Sequence, residues 1–270
     1  MATALSKVYM TVLSNAAYLP GVKALKRSLE AVGSRYKLVI LVPEELENEL
    51  GRLLESNHLL EDSCILRTAP SLRVTLPQGI NENSHYWNNT FFKLRAAGCT
   101  EFSKIVLLDC DMLVQHNLDC LFDAPNYSAV VAGQAVHPEW TGLNSGLMVL
   151  EPSEELMNTL LAGIEPTIQK CRKAGVNVGD QDVFKFIFPD WHDHRELVLP
   201  EKYNVYFCDY TETCRVRGYT AEDIHVVHFV GKTKPWHRFS LRNYYHLFRM
   251  AVLARFEEMK IYFHYVSLCR

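Results

Sequence analysis

Two aspartates separated by one residue close an apolar run in IVLLDCDMLV (105–114). Asp109 and Asp111 are hard oxygen donors at the end of a strand-like segment. In an open α/β sheet that is where ligands gather, beyond the carboxyl ends of the strands. The pair either forms a solvated turn or holds a divalent cation such as Mg²⁺ or Mn²⁺, and an added imidazole tilts the choice toward Mn²⁺.

Three further stretches have chemistry to offer. HFVGKTKPW (228–236) ends an apolar strand on His228, then supplies Gly231, Lys232 and Lys234. Its backbone amides and lysines suit an anion cradle, and equally a turn with a core histidine. LNSGLMVLEPS (143–153) sets Asn144, Ser145 and Gly146 before a strand, and GDQDVF (179–184) sets Asp180 and Gln181 at a helix start. Asp180 is either the N-cap or a group facing substrate. HDH (192–194) reads as a surface loop, because no third metal ligand lies at a helpful spacing. The G-x-G-x-x-G, P-loop and G-x-S-x-G patterns do not occur, which removes the dinucleotide, Walker and serine-hydrolase readings.

The elements that must position these residues alternate. Strands are expected at 7–13, 37–42 and 63–67, with helices at 20–32 and 43–56 between them. Leu46, Leu50, Leu53 and Leu54 form the inward stripe of the second helix. This βαβαβ rhythm predicts a parallel sheet. The stretch 68–89 carries Pro, Gly, Asn and Ser without periodicity and reads as a long functional loop, a substrate lid. A helix is expected around 89–98, then the strand of 105–114. Further strands are expected at 128–133 and 146–152, and a helix from Ser153 that Pro166 kinks or splits. A short helix at 180–188, a strand at 225–231 and one closing helix over 239–266 complete the pattern. We read residues 1–270 as a single domain.

Composition narrows the function classes. The 270 residues are 48% hydrophobic with a formal net charge of -3. A packed core is expected, and a nucleic-acid surface is not. No apolar run reaches membrane-span length, and the N-terminus lacks the basic and apolar regions of a signal peptide. None of the eight cysteines forms a C-x-x-C pair. Unpaired thiols, several in apolar surroundings, predict a cytoplasmic protein without a structural zinc.

In this order, the four constellations resemble glycosyltransferase family 8, and within it the glycogenins, over most of residues 7 to 237. The resemblance implies an α/β, single-domain, nucleotide-sugar-binding fold of the glycosyltransferase A type, with a mostly parallel central sheet flanked by helices. It also implies retaining transfer of a hexose from a UDP-sugar, with UDP-glucose as donor and Mn²⁺ as metal. VLSNAAYLPG (12–21) looks like the family's uridine loop, with Val12, Ser14, Asn15 and Tyr18 framing base and ribose. Asp109, Cys110 and Asp111 match the metal motif, with His228 as third metal ligand. Lys93 matches a lysine near the donor, and Asn144, Ser145 and Gly146 match the motif facing the donor sugar. Asp180 and Gln181 match a pair beside the reacting carbon, and Gly231 and Lys234 match pyrophosphate contacts.

Departures shape the acceptor. Asn177 stands where glycogenin has an acid, and the self-glucosylated tyrosine falls on Thr211, beside Tyr210. The pattern therefore looks like a glycogenin relative acting on a separate glycan or glycoprotein. A protist relative of this kind extends the hydroxyproline-linked glycan of a cytoplasmic ubiquitin-ligase adaptor. A self-glucosylating primer, a UDP-galactose enzyme and a non-catalytic UDP-sugar-binding module are the alternatives. Family members pair, and the Tyr- and Phe-rich closing helix offers an apolar face for a homodimer.

Overall fold

The computed structural model describes residues 6–61, 63–77, 80–81, 85–237 and 240–270, without the side chains of 85–89. Strand β1 (Ser6–Val12) leads into helix α1 (Leu19–Ala31), which turns at Gly33 into β2 (Leu38–Pro43). Helix α2 (Glu47–Ser56) then crosses to β3 (Cys64–Ala69). The pairs β2–β3, β1–β2 and β1–β4 (Phe102–Leu108) are all parallel, as the alternating pattern requires. β2 is buried along its whole length, which explains its unbroken apolar sequence. Leu50 and Leu54 anchor α2 in the core, while Leu46 and Leu53 pack at its edge.

A helical segment, His85–Gly98, precedes β4 and begins before the expected helix at 89. Part of the stretch 68–89 falls outside the described residues, and with it the lid expectation. The run 105–114 is not one strand. It divides into β4 and β5 (Met112–Val114), which belong to different sheets, and Asp109–Asp111 is the joint between them. The chain changes sheet here because Asp109 N–H is taken by Gly146 O at 2.8 Å, while Asp111 O accepts from Phe229 N–H at 2.9 Å.

β6 (Ala129–Val130) is shorter than expected, and β7 (Asn144–Leu150) starts two residues earlier. β7 runs antiparallel to β4 and to β6, while β6 pairs in parallel with β8 (Val198–Leu199). The seven-stranded sheet, ordered β3-β2-β1-β4-β7-β6-β8, is thus mostly parallel. Helix α3 (Glu154–Ala174) is capped by Ser153 and ends at Gly175, and it runs through Pro166 without splitting. Helix α4 (Asp180–Ile187) follows.

The smaller sheet joins β5 to β10 (Val226–His228) and β10 to β9 (Val205–Tyr206), with α5 (Tyr210–Arg217) after β9. The expected closing helix is two, α6 (Leu241–Val252) and α7 (Phe256–Leu268). Between them Ala254 takes φ +52°, a left-handed conformation a continuing helix cannot hold. The reversal lets Ile261, Tyr262 and Tyr265 of α7 pack with Ala24 of α1 and Val227 of β10. All eight cysteines are free. Among the described residues, no helix is long and apolar enough to cross a membrane.

Candidate metal and donor-sugar site

Asp109, Asp111 and His228 converge although 117 residues separate the last two. Their ligand atoms lie within 4.8 Å of one another. His228 Nε2 is 3.2 Å from Asp111 Oδ1 and 3.6 Å from Asp109 Oδ2. The convergence is built by β10 pairing antiparallel with β5, which sets His228 opposite Met112, one residue beyond Asp111. His228 can approach only because residue 146 is glycine. A Cβ there would fall 2.7 Å from His228 Cε1 and 2.8 Å from Asn144 Oδ1. Two carboxylates and an imidazole suit Mn²⁺ or Mg²⁺, so the residues fit the cation that the sequence pattern suggests.

The tautomer of His228 follows from its neighbour. Its Nδ1 lies 3.0 Å from Asn204 Oδ1, and Asn204 Nδ2 donates to Asn144 Oδ1 at 2.8 Å. With the Asn204 oxygen turned to the imidazole, Nδ1 carries the proton and Nε2 presents its lone pair to the two acids. Asn204 is fully buried and belongs to no motif in the sequence. Its only trace is its place in YNVY, just before a short strand. Replacing it with alanine should weaken Mn²⁺ binding roughly 10- to 100-fold, the usual cost of losing such an orienting partner. Calorimetric titration of the metal into both proteins checks this, and unchanged affinity would remove Asn204 from the site.

Each acid also meets a buried lysine. Lys93 Nζ sits 2.7 Å from Asp109 Oδ1 and 3.0 Å from Asp180 Oδ2, and donates to Ser145 O at 3.0 Å. Lys234 Nζ is paired with Asp111 Oδ2 and donates to Phe229 O at 3.0 Å. Burial works to raise the Asp111 carboxyl, but Lys234 and His228 outweigh it and hold it well below the carboxylate range. Burial likewise works to lower Lys93, and Asp109 with Asp180 overturns it.

Gly179, not Asp180, precedes α4 as its cap, and Asp182 Oδ2 accepts from Gly179 N–H. Asp180 is the first helical residue and turns inward to Lys93. Gln181 Oε1 accepts from Asn144 Nδ2 at 2.8 Å and from Ser145 N–H at 3.2 Å. Asn144 Nδ2 also reaches the hydroxyl of Tyr206 at 2.9 Å, a second residue no motif marked. Asp180, Gln181, Asn144, Ser145, Gly146 and Lys93 are thereby brought together beside the metal cluster.

The 12–18 loop reaches the same region from β1. Val12 is half-buried at the strand end, Ser14 is half-buried, and Asn15 accepts from Ala17 N–H at 2.8 Å to cap a short helix. Tyr18 lies edge-on to Trp236 at 6.0 Å, and Trp236 Nε1 donates to Ala17 O. The loop therefore abuts the segment that carries Lys234. Gly231 adopts φ +100°, which accounts for glycine there by backbone conformation alone. Cys110 packs on the core between the acids, and burial with the flanking carboxylates pushes its thiol well up. Among the described residues, His192 and His194 pair only with neighbouring acids, so HDH stays outside the site.

The Glycosyl transferase family 8 model matches residues 9–240. Human glycogenin-1 is 30% identical over 239 residues, spanning 85% of this chain and 62% of its own length. Inositol phosphorylceramide glucuronosyltransferase 1 of Arabidopsis thaliana is 27% identical over 250 residues, spanning 86% of this chain and 43% of its own. The chain thus spans less than two thirds of either relative. In fold it is similar to the galactosyltransferase LgtC solved with donor and acceptor sugar analogs, at TM-score 0.61 and 17% identity over 86% of this chain and 90% of that one.

Proposed function

The chain belongs to glycosyltransferase family 8, and on that premise we propose that it transfers a hexose from a UDP-sugar, with retention, to a separate glycan or glycoprotein acceptor. The observation that carries this reading is the meeting of Asp109, Asp111 and His228 within 4.8 Å, next to Lys93, Asp180 and Gln181.

In this reading Asp109, Asp111 and His228 hold Mn²⁺, with Mg²⁺ as a substitute. When bound, the cation neutralises charge developing on the UDP leaving group. Lys234 and the backbone near Gly231 add positive potential for the diphosphate. The 12–18 loop holds the uridine, and Asn144, Ser145, Gly146 and Gln181 face the donor sugar. Retention by double displacement would need a free carboxylate at the anomeric carbon. Asp180 is bound to Lys93 at 3.0 Å, which favours same-face attack with Asp180 and Gln181 as positioning groups.

A separate acceptor is supported by the positions nearest the glycogenin tyrosine. Tyr210 is buried, and Thr211 is hydrogen-bonded to buried Glu258. Eight free cysteines support a reducing, cytoplasmic setting. A donor panel tests the reading. UDP-glucose with Mn²⁺ should be hydrolysed fastest, ahead of UDP-galactose and UDP-glucuronate, as read by UDP release. Saturable UDP-sugar binding without release would make the protein a binding module instead.

We also assign α6 as a homodimer face. Leu241, Tyr244, Tyr245, Phe248 and Val252 form one exposed stripe on it, more apolar surface than scattered side chains leave. Phe248→Asp should convert a dimer to a monomer in light scattering. A wild-type monomer at tens of micromolar would remove the assignment.

A further inference from the structure

Beside the donor-sugar motif stands an exposed aromatic pair that the donor chemistry leaves unused. Trp140 is 41% exposed, and His137 stacks on it with ring centroids 4.1 Å apart and planes 18° from parallel. The indole is not adrift. Its ring lies against Gly133, where a Cβ would fall 2.7 Å from Trp140 Cζ3 and 3.2 Å from Tyr206 Cε2, so the indole and the phenol flank the same glycine. Tyr206 is in turn hydrogen-bonded to Asn144 and edge-on to His228 at 5.7 Å. Gly133 and Tyr206 therefore link the indole to the metal cluster.

The loop holding the indole is rigid by construction. Buried Glu201 accepts from Ala135 N–H through both oxygens at 3.2 Å and from Arg217 Nε at 2.8 Å. Arg217 also donates to Gln134 Oε1, and Gln134 Nε2 donates to Trp140 O at 3.1 Å. His137 N–H bonds to Gly133 O, and Trp140 N–H to His137 O. Glu201 is buried while Arg217 stays partly exposed, so a carboxylate taken out of water is committed to holding this loop, a cost that is repaid where the loop's geometry matters. Preorganised aromatic surface beside a reacting centre is how a ligand is oriented cheaply in entropy.

We infer that Trp140, backed by His137 and flanked by the Glu139 carboxylate, is the platform on which the acceptor sugar rests its apolar face. The C–H face of a pyranose matches an indole in size and in lack of charge. Glu139 is mostly exposed and 3.5 Å from His137 Nδ1, so it is placed to accept from sugar hydroxyls. The acceptor is thus a sugar ring, not a bare hydroxyl of a peptide. The inference rests on the transferase reading for its place in the reaction, but its test is a binding test.

Saturation-transfer NMR of the full chain with UDP and Mg²⁺ is run against methyl α- and β-glycosides of glucose, galactose and xylose. In the wild type at least one glycoside should take up saturation from the protein. Trp140→Ala should lose at least tenfold of that signal, Trp140→Phe should keep most of it, and calorimetric UDP affinity should stay within twofold in both. Silence for every glycoside in the wild type overturns the inference, as does a signal that survives Trp140→Ala. A joint loss of UDP and glycoside binding in Trp140→Ala also overturns it, because the residue would then be structural. If wild-type protein binds glycosides but not UDP, the donor reading fails and the platform stands.

Discussion

In the Asp111→Ala variant, Mn²⁺-dependent release of UDP from UDP-sugar should fall by on the order of a thousandfold. Two effects coincide at this residue. Its carboxylate is one of three ligand groups, and losing it leaves one acid and one imidazole for a doubly charged ion. It is also the partner of Lys234, which is 6% exposed along its side chain. A buried ammonium left without its counter-charge costs about 3–5 kcal/mol when only one partner is removed. The variant should therefore melt earlier as well as bind metal weakly. Asp111→Asn separates the two, since the amide keeps a hydrogen-bond acceptor for Lys234 but is a poorer metal ligand. Near-normal turnover in either variant would refute the metal assignment.

Lys93→Met is expected to have the second large effect. Lys93 joins Asp109 and Asp180 across the cleft between the end of β4 and the start of α4. Among the described residues Asp180 Oδ2 meets no hydrogen-bond donor other than the Lys93 ammonium, its counter-charge at 3.0 Å. Methionine fills the same volume and leaves two carboxylates facing one another without a cation between them. Stability should drop by roughly 3–5 kcal/mol, a fall in Tm of about 10 °C for a chain of this size. Differential scanning calorimetry of both proteins checks this. UDP release should fall at least a hundredfold in parallel, because Asp109 and Asp180 are no longer held in register.

How much of this was legible beforehand varies by element. The first three strands and two helices follow from local sequence, the helices from their apolar spacing and β2 from an unbroken apolar run buried along its whole length. The strand end at Asp109 was legible, but the second strand after the pair, in a different sheet, was not, since MLV is too short to declare itself. What divides the run 105–114 is a partner on each side, Gly146 of β7 taking Asp109 N–H and Phe229, just past β10, donating to Asp111 O. The break between α6 and α7 was hidden for a similar reason. Ala254 is an ordinary helix former, and only the packing of Ile261 and Tyr265 against α1 and β10 forces it to φ +52°.

The sequence by itself determined the chemistry on offer: two acids one residue apart, a histidine ending a late strand, lysines beside it, and the order of motifs that marks the family. Those are properties of residue type and local spacing. Only the tertiary structure decided that the histidine's Nε2 faces the acids, that Asn204 orients it, and that Tyr206 lies edge-on to it. These are contacts between residues from about 20 to about 120 positions apart, set by strand pairing and by the absence of a Cβ at Gly146. No periodicity encodes them, because each depends on which backbones the sheet brings together.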